Sequence, residues 1–252
     1  ELQRYRPDRR SLALTAAPLL LLVIYGATLY RMQRQRNSQV ERLAQQGRES
    51  RRAADRNSAL SRIAQQQGFS ALVADRLTEA EELWRRAQVA RDGAESEYRN
   101  ASHALERALN MDGSRSELRS LLADILLARV MLADGEQAAG LRSDLLERLA
   151  LYDEGGERQR LWSRPGKLAL ECSVAGANVQ IARFHLNPQN HWETQAPSPL
   201  GTTPLSQVEL VPGHYLLTLK ADGYATVRQP VLVEHGIEVK VKAELIPAKK
   251  HE

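Results

Sequence analysis

The sequence predicts an α+β multidomain chain: a single transmembrane helix, an α-helical hairpin stalk and a small antiparallel β-sandwich. Three observations carry this. Residues 11–30 hold no charge. No proline occurs in the 146 residues between Pro18 and Pro165, whereas eight fall in the last 88. Beyond Gly166 the apolar period changes from three-and-four to two, the change from helix to half-buried strand. In order, residues 1–10 read as a cytoplasmic juxtamembrane end and 11–30 as the transmembrane helix. Residues 31–67 follow as a basic juxtamembrane stalk helix, 68–163 as helical hairpins and 164–248 as the sandwich.

The 252 residues leave room for one large or two small domains once a non-globular part is subtracted. The basic residues are 29 arginines and 6 lysines, and residues 31–66 set nine arginines against three acids. Residues 67–163 are net acidic, so the overall +4 sits beside one apolar run and does not point to nucleic acid. The single cysteine, Cys172, excludes an intrachain disulfide and a Cys-rich metal site, and leaves the redox compartment open. With no initiating methionine, the sequence reads as a piece of a longer chain.

Residues 11–30 lie between clusters of arginines, and at ~1.5 Å per residue they match the ~30 Å hydrocarbon core. Pro18 falls early, where a spanning helix tolerates it. Tyr30, followed by Arg31 and Arg34, suits an interfacial anchor. A cleaved signal peptide and a buried core helix are the rivals; the length of the run and its charged flanks count against each. Arg4, Arg6, Arg9 and Arg10 on one side and Arg31, Arg34, Arg36 and Arg42 on the other leave the orientation open.

The middle is rich in Ala, Leu, Arg, Glu and Gln, good helix formers. In residues 31–66 a polar stretch interrupts the apolar stripe of Val40, Leu43, Ala44, Leu60, Ile63 and Ala64. A solvated stalk is therefore expected rather than a persistent coiled coil, with its arginines free to meet anionic headgroups. Past Gly68 the stripe strengthens through Leu72, Leu77, Ala80, Leu83, Trp84, Ala87 and Ala90, with a break at Gly93. A second helix carries Tyr98 to Leu109, a third runs from Ser116 to Asp134-Gly135, and a fourth ends at Gly155-Gly156. Ala101, Leu105, Ala108, Leu109, Met111 and Asp112 resemble the second half of a tetratricopeptide repeat, with Gly113 where that family usually has proline. His103 is a packing or surface residue.

In the last part, Ile237, Val239, Val241, Ala243 and Leu245 alternate with charged residues. Leu168, Leu170, Cys172 and Val174 alternate likewise, as do Tyr215, Leu217 and Leu219. Turns at Ala175-Gly176, Pro212-Gly213, Asp222-Gly223 and His235-Gly236 divide five or six strands, with Cys172 a buried small hydrophobe. The order of Ala175-Gly176-Ala177-Asn178-Val179, Gly201-Thr202-Thr203-Pro204-Leu205, Leu210-Val211-Pro212-Gly213-His214-Tyr215 and Ala221-Asp222-Gly223-Tyr224 resembles the PEGA domain across roughly 168–246. In that family the proline-glycine turn starts a central strand. Here Val211-Pro212-Gly213-His214 stands in place of the literal motif, and residues 185–199 are an insertion.

A spanning helix, a helical stalk and a PEGA-like module together are similar to the linkers of large bacterial proteins. Those proteins carry a serine/threonine kinase domain before the membrane and a formylglycine-generating-enzyme-like (sulfatase-modifying) domain after the module. The resemblance implies a single-pass protein of the bacterial inner membrane with residues 31–252 in the periplasm, where the module would meet a protein or envelope-polymer partner. Dimerisation is compatible with this, and membrane lipid would contact residues 11–30. The alternative is a self-contained, membrane-anchored periplasmic scaffolding or envelope-binding protein.

Phosphate-loop, G-x-S-x-G, H-E-x-x-H, C-x-x-C and kinase catalytic-loop signatures are absent, so no catalytic residue, cofactor or metal is assigned to these residues and no enzyme activity is expected of them. Glu81-Glu82 and Asp153-Glu154 read as solvated faces. The recognition candidate is the insertion, through His185, Asn190, His191, Trp192 and Glu193, since it is longer than a hairpin needs. Trp192 either faces a partner there or folds back to cap the sandwich.

Overall fold

The computed structural model describes residues 9–135, 139–187, 189 and 191–248, with side chains from Ile24 onward apart from residues 134, 135 and 139. Among the described residues five helices come first: α1 (Arg9–Val73), α2 (Leu77–Met111), α3 (Ser116–Gly135), α4 (Ala139–Tyr152) and α5 (Glu157–Ser163). Eight strands follow: β1 (Gly166–Cys172), β2 (Asn178–Leu186), β3 (Trp192–Thr194), β4 (Ser198–Thr202), β5 (Leu205–Leu210), β6 (Gly213–Lys220), β7 (Val227–Val233) and β8 (Glu238–Ala243). The chain is α+β.

The expected transmembrane helix requires correction. No helix among the described residues is long and apolar enough to cross a membrane. The side chains of residues 11–23 lie outside those described. What remains of the charge-free run, residues 24–30, is about 10 Å of helix before Arg31, against the roughly 20 residues that a span needs.

Residues 31–67 are the middle of a 65-residue helix, uninterrupted at Gly68. Small residues let α2 lie close and antiparallel along it: Gly47 faces Leu105, Asn57 faces Gly93, and Gly68 faces Trp84. Polar contacts keep the same register. The Ser61 hydroxyl donates to Ala87 O at 2.9 Å, and Tyr98 Oη donates to Asp55 Oδ1 at 2.7 Å. Burial and the acceptor Asp55 both push the Tyr98 pKa up. Gly93 does not break α2, because its missing side chain fits against Asn57 of α1. Val40, Ala44 and Ala54 are buried with Leu105, Leu122, Ile125, Leu126 and Leu149 in one helical core, which packs α3 and α4 against the hairpin.

Asp153 is buried, contrary to its reading as a solvated face. Its carboxylate accepts the Arg158 and Gln159 backbone N–H groups, both at 3.0 Å, and so satisfies the first turn of α5. Arg158 also reaches Asp124 of α3 at 2.8 Å, tying α5 to the helices.

The strands form two sheets, β5-β1-β8 and β3-β2-β6-β7, with β4 also on β2. Leu168, Leu170 and Val241 of the first meet Val179, Leu217, Leu219 and Val231 of the second in a shared core. The sandwich is not wholly antiparallel, because β1 pairs with β8 in parallel. Cys172 is a free thiol, half-buried at the rim of this core. Pro212-Gly213 opens β6, which lies between β2 and β7 in the middle of its sheet.

Candidate functional site

Strand β6 is apolar on both faces. Tyr215, Leu217 and Leu219 point into the sandwich, whereas His214 and Leu216 point outward with Ala182 and Phe184 of β2. A sheet apolar on both faces must be covered twice, and the second cover is the α1–α2 hairpin. Phe69, 1% exposed, inserts from α1 into that outer face. Its ring centroid is 4.5 Å from Phe184, 4.5 Å from His214, 5.0 Å from Trp192 and 5.7 Å from Trp84.

A second contact lies at α5. Trp162 stacks on His235 of the β7–β8 turn with centroids 3.9 Å apart, and Gly236 packs against Leu161. Both phenylalanines and all three tryptophans of the chain therefore sit where helices and sandwich meet. For a chain with 5% aromatics this concentration marks the junction as the place where specific packing is invested. An Arg62–Glu234 ion pair at 3.1 Å adds a polar tie, exposed at both ends and worth little by itself.

Between the two contacts is a cavity of about 280 Å³, walled by α1, α2, α3 and the β6 and β7 strands. Its apolar lining includes Ala128, Met131, Leu132 and Trp192, and its polar lining includes Arg62, Arg91, His214 and Glu234. Arg91 is buried and donates through Nη2 to Leu132 O at 2.6 Å. Burial, then the Arg91 charge, lowers the His214 pKa to about 4, so this imidazole is neutral at pH 7. On the other side of α1 a more open groove of about 470 Å³ runs along β7 and β8.

Four of the five residues expected to form a recognition loop, His185, His191, Trp192 and Glu193, are among the described residues. Strands β2 and β3 pair antiparallel with His185 opposite Glu193, their Nε2 and Oε1 atoms 3.2 Å apart. His185 Nδ1 is buried without a partner. His191 is exposed, its backbone N–H donating to Asn187 Oδ1 at 2.9 Å, and Glu193 is exposed. Asn190 lies outside the described residues. Trp192 turns toward the helices, where it meets Phe69 and lines the cavity. It thus joins the two parts, a position between the alternatives of partner contact and sandwich cap. No group of three or more His, Cys, Asp or Glu side chains among the described residues could hold a metal ion.

The sequence reading missed Phe69, Trp84, Arg91, His214 and Leu216. The usable signal was Leu216 between Tyr215 and Leu217, an apolar residue at an outward position that needed a second cover.

Residues 198–249 match the PEGA domain. The match spans β4 to β8, while the sandwich also needs β1 and β2, which supply the centre of one sheet and an inner strand of the other. Thr203 joins matched and unmatched parts. Its buried hydroxyl donates to Val174 O at 2.8 Å and accepts from Ala177 N at 3.0 Å. No curated protein matches the chain. PEGA is a non-catalytic domain, consistent with no enzyme activity in this region.

Proposed function

We propose that these residues are a non-catalytic presentation module of a larger bacterial signalling protein of the serine/threonine kinase type. In this role the PEGA-bearing sandwich is held outside the cytoplasm, where it meets a protein or envelope-polymer partner. The observation that carries the reading is the seating of the sandwich on a two-helix arm through Phe69, Phe184, Trp84 and Trp192. A module fixed in this way passes a load or a reorientation to α1 instead of swinging on a linker. The PEGA match supports a binding or scaffolding role over chemistry.

The test is to isolate the native polypeptide from its cells and identify its peptides by mass spectrometry. The reading expects kinase-domain peptides in the same chain; a polypeptide confined to these 252 residues contradicts it. Placement is checked with a membrane-impermeant maleimide and Ser198→Cys in a Cys172→Ser background. Labelling after permeabilising only the outer membrane supports exposure outside the cytoplasm. Labelling only after inner-membrane lysis refutes it.

A further inference from the structure

We infer that the outward face of α1 is a docking surface for a linear anionic polysaccharide, gripped by a row of arginines: Arg31, Arg34, Arg42, Arg48, Arg52 and Arg56. At ~100° and ~1.5 Å per residue, these positions fall within an arc of about 120° along a length of about 37 Å. The arc lies opposite the side on which Val40, Ala44, Gly47 and Ala54 meet the other helices. Arg48 is half-buried and the other five are exposed.

The protein itself does little to balance this row. On α2, Arg76 meets Glu79 at 2.7 Å, and Arg85 and Arg86 meet Glu82 at 2.8 and 2.9 Å. Arg36 and Arg51 of α1, which point off the row, are held by Met111 O and Asp124. Among the described residues none of the row's own arginines is in an ion pair. Glu41 and Glu49 share the outward side, but Glu41 pairs with Arg115 at 2.9 Å, and Glu49 accepts from Gln45 at 2.8 Å. A large positive excess remains. Arg48, Arg52 and Arg56 follow one another at four-residue steps, where like charges destabilise a helix. A polyanion laid along the row relieves that repulsion.

The same face selects the class of partner. Between Arg31 and Arg56 it carries no aromatic and no large apolar side chain, since the apolar side of α1 is buried against the other helices. A protein interface needs an apolar centre, an interfacial helix needs an apolar face to insert, and single-stranded nucleic acid needs aromatic platforms. Duplex DNA winds its phosphates away from a straight line within one turn of ~34 Å, less than the length of the row. A flexible chain with a charge on each sugar requires none of these features and can follow a straight track. Arginine suits it, because the guanidinium fork meets sulfate, phosphate or carboxylate with two hydrogen bonds. The row lies on α1, away from the sandwich, so this binding goes beyond the presentation role and does not depend on it.

The probe is a fluorescein-labelled heparin oligosaccharide, titrated with the whole chain at pH 7.5 and followed by fluorescence anisotropy. Saturable binding is expected, falling at least about tenfold between about 50 and 200 mM salt as counterions are released from several contacts. Arg48→Gln, Arg52→Gln and Arg56→Gln together weaken it at least about tenfold with unchanged circular dichroism. The three corresponding Arg→Lys changes retain it within about threefold. Arg34→Gln with Arg42→Gln, in the other half of the row, also weakens it and serves should the triple variant fail to fold. Arg85→Gln with Arg86→Gln on α2 removes charge elsewhere and leaves binding unchanged. Absence of saturable binding, an equal loss from the α2 pair, or a loss from the lysine variant as large as from glutamine overturns the inference. So does tighter binding of single-stranded DNA, duplex DNA or anionic phospholipid vesicles than of heparin.

Discussion

Acidification from pH 7 to pH 4.5 weakens the fold through one ring, His214, by an amount the junction sets. The imidazole lies against Phe69 on the covered face of the sheet, and its pKa falls from 6.5 to about 4 through burial and then the Arg91 charge. Between these values the unfolded chain takes up a proton that the folded chain refuses. Stability contributed by the neutral ring is therefore complete above pH 6.5 and lost as pH falls toward 4. A difference of about 2.5 pH units at ~1.36 kcal/mol each gives a total of about 3 kcal/mol, of which between 2 and 3 are gone by pH 4.5. The assay is urea denaturation followed by tryptophan fluorescence at pH 7.5, 6.5, 5.5 and 4.5, on the wild type and His214→Leu. The five other histidines and all carboxylates are common to both proteins and cancel in the difference. The expected difference curve is flat above pH 7 and turns against the wild type below pH 6. Parallel curves for the two proteins down to pH 4.5 refute the buried neutral imidazole.

Thr203→Val leaves Ala177 N–H without its buried acceptor, and a loss of about 1–3 kcal/mol is expected from denaturant midpoints, with Thr203→Ser recovering most of it. Gly68→Ala places a methyl 2.6 Å from Trp84 Nε1, forcing α1 and α2 apart; overpacking of this kind costs about 1–3 kcal/mol and is read as a lower melting temperature. Asp153→Ala removes the acceptor for two α5 N–H groups, at about 0.5–2 kcal/mol. Burial raises the Asp153 pKa, but the Gln159 and Arg158 N–H groups and the Arg158 guanidinium outweigh it and hold the carboxyl below its ordinary value. Its contribution thus persists at mild acidity and disappears only in stronger acid, as pH falls through that depressed value. Native-state hydrogen exchange of α5 amides at pH 6 and pH 3 reads this out.

Local signals in the sequence located much of this fold. The Ser116 and Gly135 limits of α3 are an N-cap type and a terminating glycine, and both mark the ends observed. The order of turn residues in the last third identified the PEGA domain, since glycine and proline at turns report backbone conformation directly. What stayed hidden depended on contacts between distant segments. Gly68 and Gly93 look like helix breaks, yet each is a point of close approach between α1 and α2. Trp192 was read as either facing a partner or folding back on the sandwich, and its contact with Phe69, 123 positions earlier in the chain, carried no local signal. The charge-free run at residues 11–30 was the strongest local signal and was corrected too, because no helix among the described residues is long and apolar enough to span a membrane.

The Phe69 cluster fixes the sandwich to the helical arm, and one distance distribution tests this directly. Spin labels at Asn100→Cys on α2 and Ser206→Cys on β5, in a Cys172→Ser background, report the separation of the two parts by pulsed electron paramagnetic resonance. A single narrow distribution that broadens markedly with Phe69→Ala is the predicted result. A distribution already broad in the protein with Phe69 intact, or unchanged by its truncation, contradicts a rigid junction and with it the presentation of the PEGA domain by the helices.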